Sequence, residues 1–559
     1  MRPRRARRLV GGVARGEPRA RLPAASERAP SLSVAGLVFL RGRDADGRLR
    51  ELCASGAAAR PGLGALAAEL RERRLHEALG FRSLGDYGRE RLGVGARTLR
   101  EWARVWRALE GLPLLREAVV AGHVSWTVAR HVVGVVTPET EAACLETVRG
   151  RTVHAVEAIV AAVKAAAAGA GTGAGDDEVE PEPGVRVRIP CTAREIGMWH
   201  AAVELARRWS GESLPVWACA EAIAAEAASA WGGPAEGELE AAAVSLRPLV
   251  GFAECRSGPV ADPVARDEHG LRHRAFPGLA WHPLRRAALP PEIAALAEGM
   301  SVCTAGEIDR RLRAAIAFLQ DVDLEIGRVL GQVQRRGLFR ELGFESFERY
   351  VTERLDLAPR TARRLVALAR ADVRAPALAT AFRRGEVHAF QAAAILSVAA
   401  SGEGLAWVER ARAVSLRRLE DDVAAQSRPA AIAFRAPPEV AKLFLAMLAR
   451  AGSLEALFAH AIATWAEQGA RFRDPADFAR DGWRCTVPGC TARRNLHSHH
   501  IRFRSAGGPD EPWNRTTLCA HHHHRGVHDG TLRITGRAPD ALIFELAGEC
   551  WMSGDVRVS

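Results

Sequence analysis

The chain has 559 residues, of which 48% are hydrophobic, 26% charged and 6% aromatic. It is too long for one ordinary core and too apolar for a disordered chain, so its length points to roughly three or four globular domains. The balance of 78 basic and 66 acidic side chains gives +12, which suits a polyanionic partner but decides nothing about fold.

Residues 1–50 carry 13 Arg and 4 acids, 13 − 4 = +9, most of the excess. Pro, Gly and Ala fill the rest, and the composition predicts a basic flexible arm. Only Leu9 and Val10 follow the first arginines before glycines, so the apolar core of a secretory signal is missing. The longest apolar run, Val119 to Val136, is interrupted by His123, Arg130 and His131, too polar to span a bilayer. A cytoplasmic protein without membrane partners is expected.

An internal repeat follows. Leu79-Gly-Phe-Arg-Ser-Leu-Gly-Asp-Tyr87 matches Leu342-Gly-Phe-Glu-Ser-Phe-Glu-Arg-Tyr350, and 11 of the 22 positions in 79–100 and 342–363 are identical without a gap. The only two tyrosines keep the same shift, 350 − 87 = 263. The spacing is too long for a solenoid and indicates a duplicated module, copy one over 65–164 and copy two over 328–427, the latter within a helical region 301–427. Ser83 and Asp86 have capping-box spacing, Gly93 and Gly95 break the chain, and a second helix is predicted from about Thr98. Its apolar stripe is Leu99, Trp102, Trp106 and Leu109. Arg97, Arg100, Arg104 and Arg107 line the other side, as a solvated face or a DNA contact. The modules also offer a surface for homo-oligomerisation.

Residues 165–184 read as a linker and 185–235 as a strand followed by a helical stretch from about Ala193 to Trp231. Residues 236–300 read as an irregular connection. Residues 428–470 echo the strand-plus-helix element, 471–535 hold the chemistry, and 536–559 form a short β tail.

Seven of the ten cysteines lack motif spacing and read as packed, reduced thiols. Cys485, Cys490 and Cys519 differ, because eight of the 18 histidines fall between His497 and His528. Cys485 and Cys490 flank a Pro-Gly turn, and Cys519 and His522 are one helical turn apart. Together they suit a closed Cys3His structural zinc site. Leu496 to Phe503 is predicted as a strand and Thr516 to His528 as a helix. His499 and His500 are adjacent, so on a strand one can bind metal while the other faces away and takes a proton. His523 or His524, with His528, could add ligands from the helix.

In this order the Cys pair, His499-His500-Ile501, Gly507-Gly508, Asn514, Leu518-Cys519 and the closing histidines resemble the HNH endonuclease family, a ββα-metal finger. The resemblance covers residues 481–530. With the helical reading of the repeats, the expected protein is mainly α and multidomain, with duplicated helical modules preceding a C-terminal HNH domain; the modules themselves resemble, more loosely, helical regions often found ahead of such domains. The HNH resemblance further implies that His499, His523 and His528 bind a catalytic divalent metal (Mg²⁺, Mn²⁺ or Zn²⁺), that His500 is the general base, and that Asn514 orients the base or its loop. DNA is the implied partner, with Arg502, Arg504 and Arg525 as candidate phosphate contacts. Arg515 stands where the family usually has an apolar residue. His528 lies five residues after His523 where four is commoner, and His524 restores four. The rival readings are a noncatalytic zinc-containing DNA-binding protein and a repeat-based interaction scaffold.

Overall fold

The computed structural model describes residues 41–559 except 150, 152, 170–183, 247–288, 356, 428–430, 470–471, 473–474, 547 and 559. The chain is mainly helical, with small antiparallel sheets. In copy one, α1 (Gly42–Glu72) leads to α2 (Ala96–Glu110). Then come β1 (Val185–Pro190), α3 (Ala193–Ser210) and α4 (Val216–Trp231). Copy two contributes α5 (Ala305–Arg336), α6 (Pro359–Arg374) and α7 (Leu416–Ser427). They are followed by β2 (Ala431–Ala436), α8 (Pro438–Ala451) and α9 (Leu454–Glu467). The C-terminal part holds α10 (Pro475–Arg480), β3 (Leu496–His500), β4 (Arg515–Cys519) and β5 to β8 (Leu532–Arg537, Ala541–Leu546, Glu549–Met552, Val556–Val558). No helix among the described residues is long and apolar enough to cross a membrane.

Local signals read from the repeat hold. Ser83 Oγ accepts from Asp86 N at 3.1 Å, and Ser346 does the same for Arg349 N at 3.1 Å in the second copy. Gly93, at φ 65°, closes the π-helical turn Gly88–Leu92 before α2 starts. Leu99, Trp102 and Leu109 are buried, whereas Arg97, Arg100 and Arg104 are exposed.

The expected basic arm does not reach residue 50. Residues 1–40 lie outside the described residues, but α1 begins at Gly42 and buries Ala45, Leu49, Leu52 and Cys53. That apolar face at helical spacing outweighs the arginine-rich composition around it. Each copy therefore starts with a long helix, α1 or α5, upstream of the recognisable repeat. Asp46, Leu49 and Gly64 recur as Asp309, Leu312 and Gly327 at the same shift. The two glycines do the same job. A side chain at Gly64 would press into the Trp126 ring and the Trp102 carbonyl, and one at Gly327 would overlap the carbonyl of Leu365, the repeat equivalent of Trp102.

The two long helices pack against each other, with α2 on the flank of α1 and α6 on the flank of α5, in one continuous core. The copies exchange polar partners across it. Tyr87 Oη donates to Asp309 at 3.0 Å and Arg91 reaches the same carboxylate at 2.7 Å. Reciprocally, Tyr350 Oη donates to Asp46 at 3.3 Å and Arg354 reaches it at 2.8 Å. This i-to-j, j-to-i exchange is the pattern of an isologous two-fold interface, built here inside one chain. Close to the pseudo-axis, Arg60 of α1 lies within electrostatic reach of its own repeat equivalent, Asp323 of α5. Identical copies would place like charges there, whereas the two positions carry opposite charges.

These buried pairs carry a testable cost. Asp46→Ala leaves Arg354 and Tyr350 buried without their acceptor, and breaking one partner of a buried ion pair typically costs about 3–5 kcal/mol. We expect the urea midpoint of the full chain to fall accordingly; an unchanged midpoint would contradict the interlock. The acid side follows from Asp309. Burial pushes its carboxyl up, but Arg91 and Arg313 outweigh that and leave it below the usual range. Its stabilisation is therefore present above the ordinary carboxylate pKa and is lost on acidification.

The second element is duplicated too. β1 pairs antiparallel with β2, Val187 opposite Phe434 and Arg188 opposite Ala433. α3 packs on α9, and α4 on α8. Their shared core centres on Trp199, which stacks on Phe434 at 5.4 Å and meets Phe444 and Phe458. The single helical stretch expected over 193–231 is two helices, because Gly211 at φ 70° ends α3 and Pro215 caps α4. Gly452 at φ 74° and the Ser453 cap likewise split α8 from α9. Most of the expected irregular connection, 247–288, falls outside the described residues, but its first part is not irregular: Glu236–Leu246 is a helix. The expected β tail starts earlier, as the four-stranded meander β5 to β8.

Candidate metal centre

Cys485 and Cys490 form a knuckle whose turn uses Gly489 at φ 73°. Cys485 N donates to Ala492 O at 2.9 Å, and Ala492 N approaches Cys490 Sγ at 3.4 Å. β4 delivers Cys519 at its end, and the helical turn after it delivers His522. All four side chains are buried, and one ligand atom from each lies within 4.8 Å of the others. His522 Nδ1 is 3.4 Å from both Cys485 Sγ and Cys519 Sγ. Three crowded thiols strain each other's ionisation: burial drives the Cys485 thiol far up, while hydrogen bonds from Cys485 and Cys490 pull Cys519 far down. A divalent cation removes that conflict by stabilising all three as thiolates. The donor set therefore fits, and the group could hold a structural metal ion.

The support around this group comes from the helical modules. His522 Nε2 faces the Gly80 carbonyl of copy one at 2.9 Å, which fixes the tautomer that turns the Nδ1 lone pair to the sulfurs. Arg417 of α7 is buried and donates to the Cys485 and Cys490 carbonyls at 3.0 and 2.5 Å, while Asp555 at 2.9 Å holds its other edge. Thr491 Oγ1 donates to Asp86 at 2.7 Å. Arg91 spans Asp309 of copy two and Glu549 of β7. The C-terminal domain is thus clamped between the copies. Sequence reading missed Gly80 and Arg417, since neither lies near the cysteines in the chain.

A second cluster consists of histidines. β3 and β4 pair with His499 opposite Thr516 and His500 opposite Arg515. The helix expected from Thr516 to His528 starts later: residues 515–519 are strand, and the helical part runs from Ala520 to His528, with π winding over His522–His528. The wider π winding explains the five-residue histidine spacing, because an extra residue per turn still returns the side chain to one face. His523 is 5.2 Å from His499 and 5.1 Å from His528, ring to ring, while His499 and His528 are 6.4 Å apart and His524 is 6.2 Å from His528. Among the described residues the histidines whose ring nitrogens converge within 4.8 Å are His497, His523 and His524, not His499, His523 and His528. Burial, then His523 and His528, lowers the buried His499 to about 3, and burial with neighbouring histidines lowers His523 to about 4. Both are neutral, as metal ligation requires. His497, two residues before His499 and so on the same strand face, joins the cluster from the other side, 5.0 Å from His523.

His500 points away from this cluster. Its Nε2 lies 2.6 Å from Asp510 Oδ1, a carboxylate not singled out from sequence, although it follows directly on Gly507-Gly508-Pro509. Asn514 is fully buried: its Oδ1 accepts from Arg502 N at 2.8 Å, and its Nδ2 donates to Arg502 O at 3.0 Å and Pro509 O at 2.8 Å. Of the two roles left open for Asn514, these bonds describe the loop role. Gly508 is needed there because a Cβ would overlap the Arg502 carbonyl.

The candidate phosphate-binding arginines differ. Arg504 is paired with Asp510 at 2.5 Å. Arg502 donates to Ala506 O at 3.0 Å and is exposed. Arg525 is exposed, 3.7 Å from Asp529. Arg515, the departure from the apolar pattern, reaches Asp477 at 3.1 Å and Arg480 joins that carboxylate cluster, so a charged residue is satisfied at that site. Comparison with protein-family models, curated proteins and solved structures gave no match to this chain.

Proposed function

We propose that the protein is a metal-dependent HNH-type endonuclease that hydrolyses DNA phosphodiester bonds. The observation that carries this reading is the division of labour on β3. The buried His499 turns towards the ring of His523, and its neighbour His500 turns out towards Asp510. A divalent ion held by His499, His523 and His528 would neutralise charge on the scissile phosphate and stabilise the leaving 3′ oxygen. With Asp510 accepting from Nε2, Nδ1 of His500 is the atom free to take the proton of the attacking water. Asn514 fixes the loop between the two, so Asp510 stays within reach of His500. Arg502 and Arg525 remain available for flanking phosphates. Residues 471–535 carry 11 Arg and 6 acids, 11 − 6 = +5, so the domain can approach DNA. The exposed Arg97, Arg100 and Arg104 of α2, with Arg360 and Arg363 of α6, extend the basic surface. The buried cysteine-histidine group is read as a structural zinc site.

Incubation of the purified full-length protein with supercoiled plasmid tests this. Nicked and linear products are expected with Mg²⁺, Mn²⁺ or Zn²⁺ and none after chelation. Intact plasmid in every metal would refute the nuclease reading and favour a DNA-binding protein without catalysis.

A further inference from the structure

The histidine cluster contains more ligands than one ion needs. One ring nitrogen from each of His497, His523 and His524 lies within 4.8 Å of the others. The rings are 5.0 Å apart for His497 and His523, 5.3 Å for His497 and His524, and 4.7 Å for His523 and His524. His523 Nδ1 is buried and has no hydrogen-bond partner among the described residues, so a donor atom already stripped of water faces its neighbours. An orphaned acceptor of this kind costs roughly 1–3 kcal/mol unless something pairs with it. His497 and His523 are half-buried and His524 is exposed, so the group opens to solvent on the His524 side.

We propose that His497, His523 and His524 form a second metal position, beside the His499, His523 and His528 position and sharing His523 with it. It rests on the nuclease reading only for the role of that neighbouring trio. Three imidazole nitrogens and no carboxylate suit a borderline transition ion such as Zn²⁺, Ni²⁺, Co²⁺ or Cu²⁺, and disfavour Mg²⁺, which prefers oxygen. Two of the donors, His523 and His524, are adjacent on the π-helical turn, and the third comes from β3, so the position depends on the sheet and the turn being in register. Because His523 has one ring to offer, the two positions compete: an ion on the His497 side draws that ring away from His499 and His528. The same ring thus belongs either to the position that would serve the scissile phosphate or to one that cannot.

Co²⁺ binding to full-length protein, with zinc already in the cysteine site, tests the proposal without DNA. Elemental analysis after equilibrium dialysis gives the stoichiometry, and visible absorption separates imidazole-bound cobalt from thiolate-bound cobalt. We expect His524→Asn, at an exposed position, and His497→Asn each to weaken Co²⁺ binding about tenfold or more, since even outer-shell changes cost 10–100-fold. Mg²⁺ in large excess should not displace the cobalt. Wild-type Co²⁺ affinity and spectrum in His524→Asn would overturn the proposal, whatever the His497 variant does. Because no cleavage is measured, a protein that never cuts plasmid still decides this question.

Discussion

Cys485→Ser is expected to release the metal from the cysteine site and unfold the C-terminal domain. Apparent binding free energies for structural zinc are about 10–16 kcal/mol in zinc-finger peptides, as large as the whole stability of an ordinary domain. Cys485 is fully buried and bonded through its backbone to Ala492 and through its carbonyl to Arg417. Loss of the ion therefore also frees the buried Arg417, which keeps Asp555 but loses its two knuckle acceptors. Elemental analysis of the purified full chain should fall by one tightly held ion per molecule, and limited proteolysis should open residues 481–535 while the helical platform persists. A Cys485→Ser protein that keeps a full complement of metal and melts like the parent would show that these residues are ordinary thiols.

His500→Ala should lower plasmid cleavage by about 10²–10⁴-fold, the usual contribution of a general base. The side chain is on the face of β3 opposite His499, half-buried and held by Asp510, so its removal disturbs neither the imidazole cluster nor the core. Metal content, circular dichroism and DNA affinity should stay near parental values. Asp510→Asn should give a smaller loss, because it removes only the group that orients the ring. Cleavage by His500→Ala at the parental rate would reject the assignment of the base.

The chain order of cysteines, histidines and glycines made the metal-binding region legible, because ligands on a knuckle, a strand end and a short turn are local features. The Ser83 cap and the Gly93 break were legible for the same reason. The contacts that join the pieces were not. Asp46 and Asp309 stand alone in their sequence neighbourhoods, and only the packing of α1 on α5 brings each to a tyrosine and an arginine of the other copy. Asp510 and Arg417 act through loops and helices distant in the chain. The π winding of His522–His528 was hidden because a one-residue insertion in a turn leaves no compositional trace, although the odd histidine spacing was its signature. The helix expected from Thr516 begins only at Ala520 because Thr516, Thr517 and Leu518, all buried, pair with β3 instead.

The exchanged pairs of the two copies also set an order of events during synthesis. Arg354 follows Asp46 by 308 residues. At roughly 5–20 residues per second, the partner of Asp46 leaves the ribosome about 15–60 s after it. During that interval α1 has no α5 to cover Leu49, Leu63 and Leu66, all fully buried in the finished protein. The first copy must wait as an incomplete, apolar-faced intermediate, and pairings this distant in sequence form slowly. Substitutions at the seam between the copies should therefore reduce the yield of soluble protein before they show in the stability of the molecules that do fold.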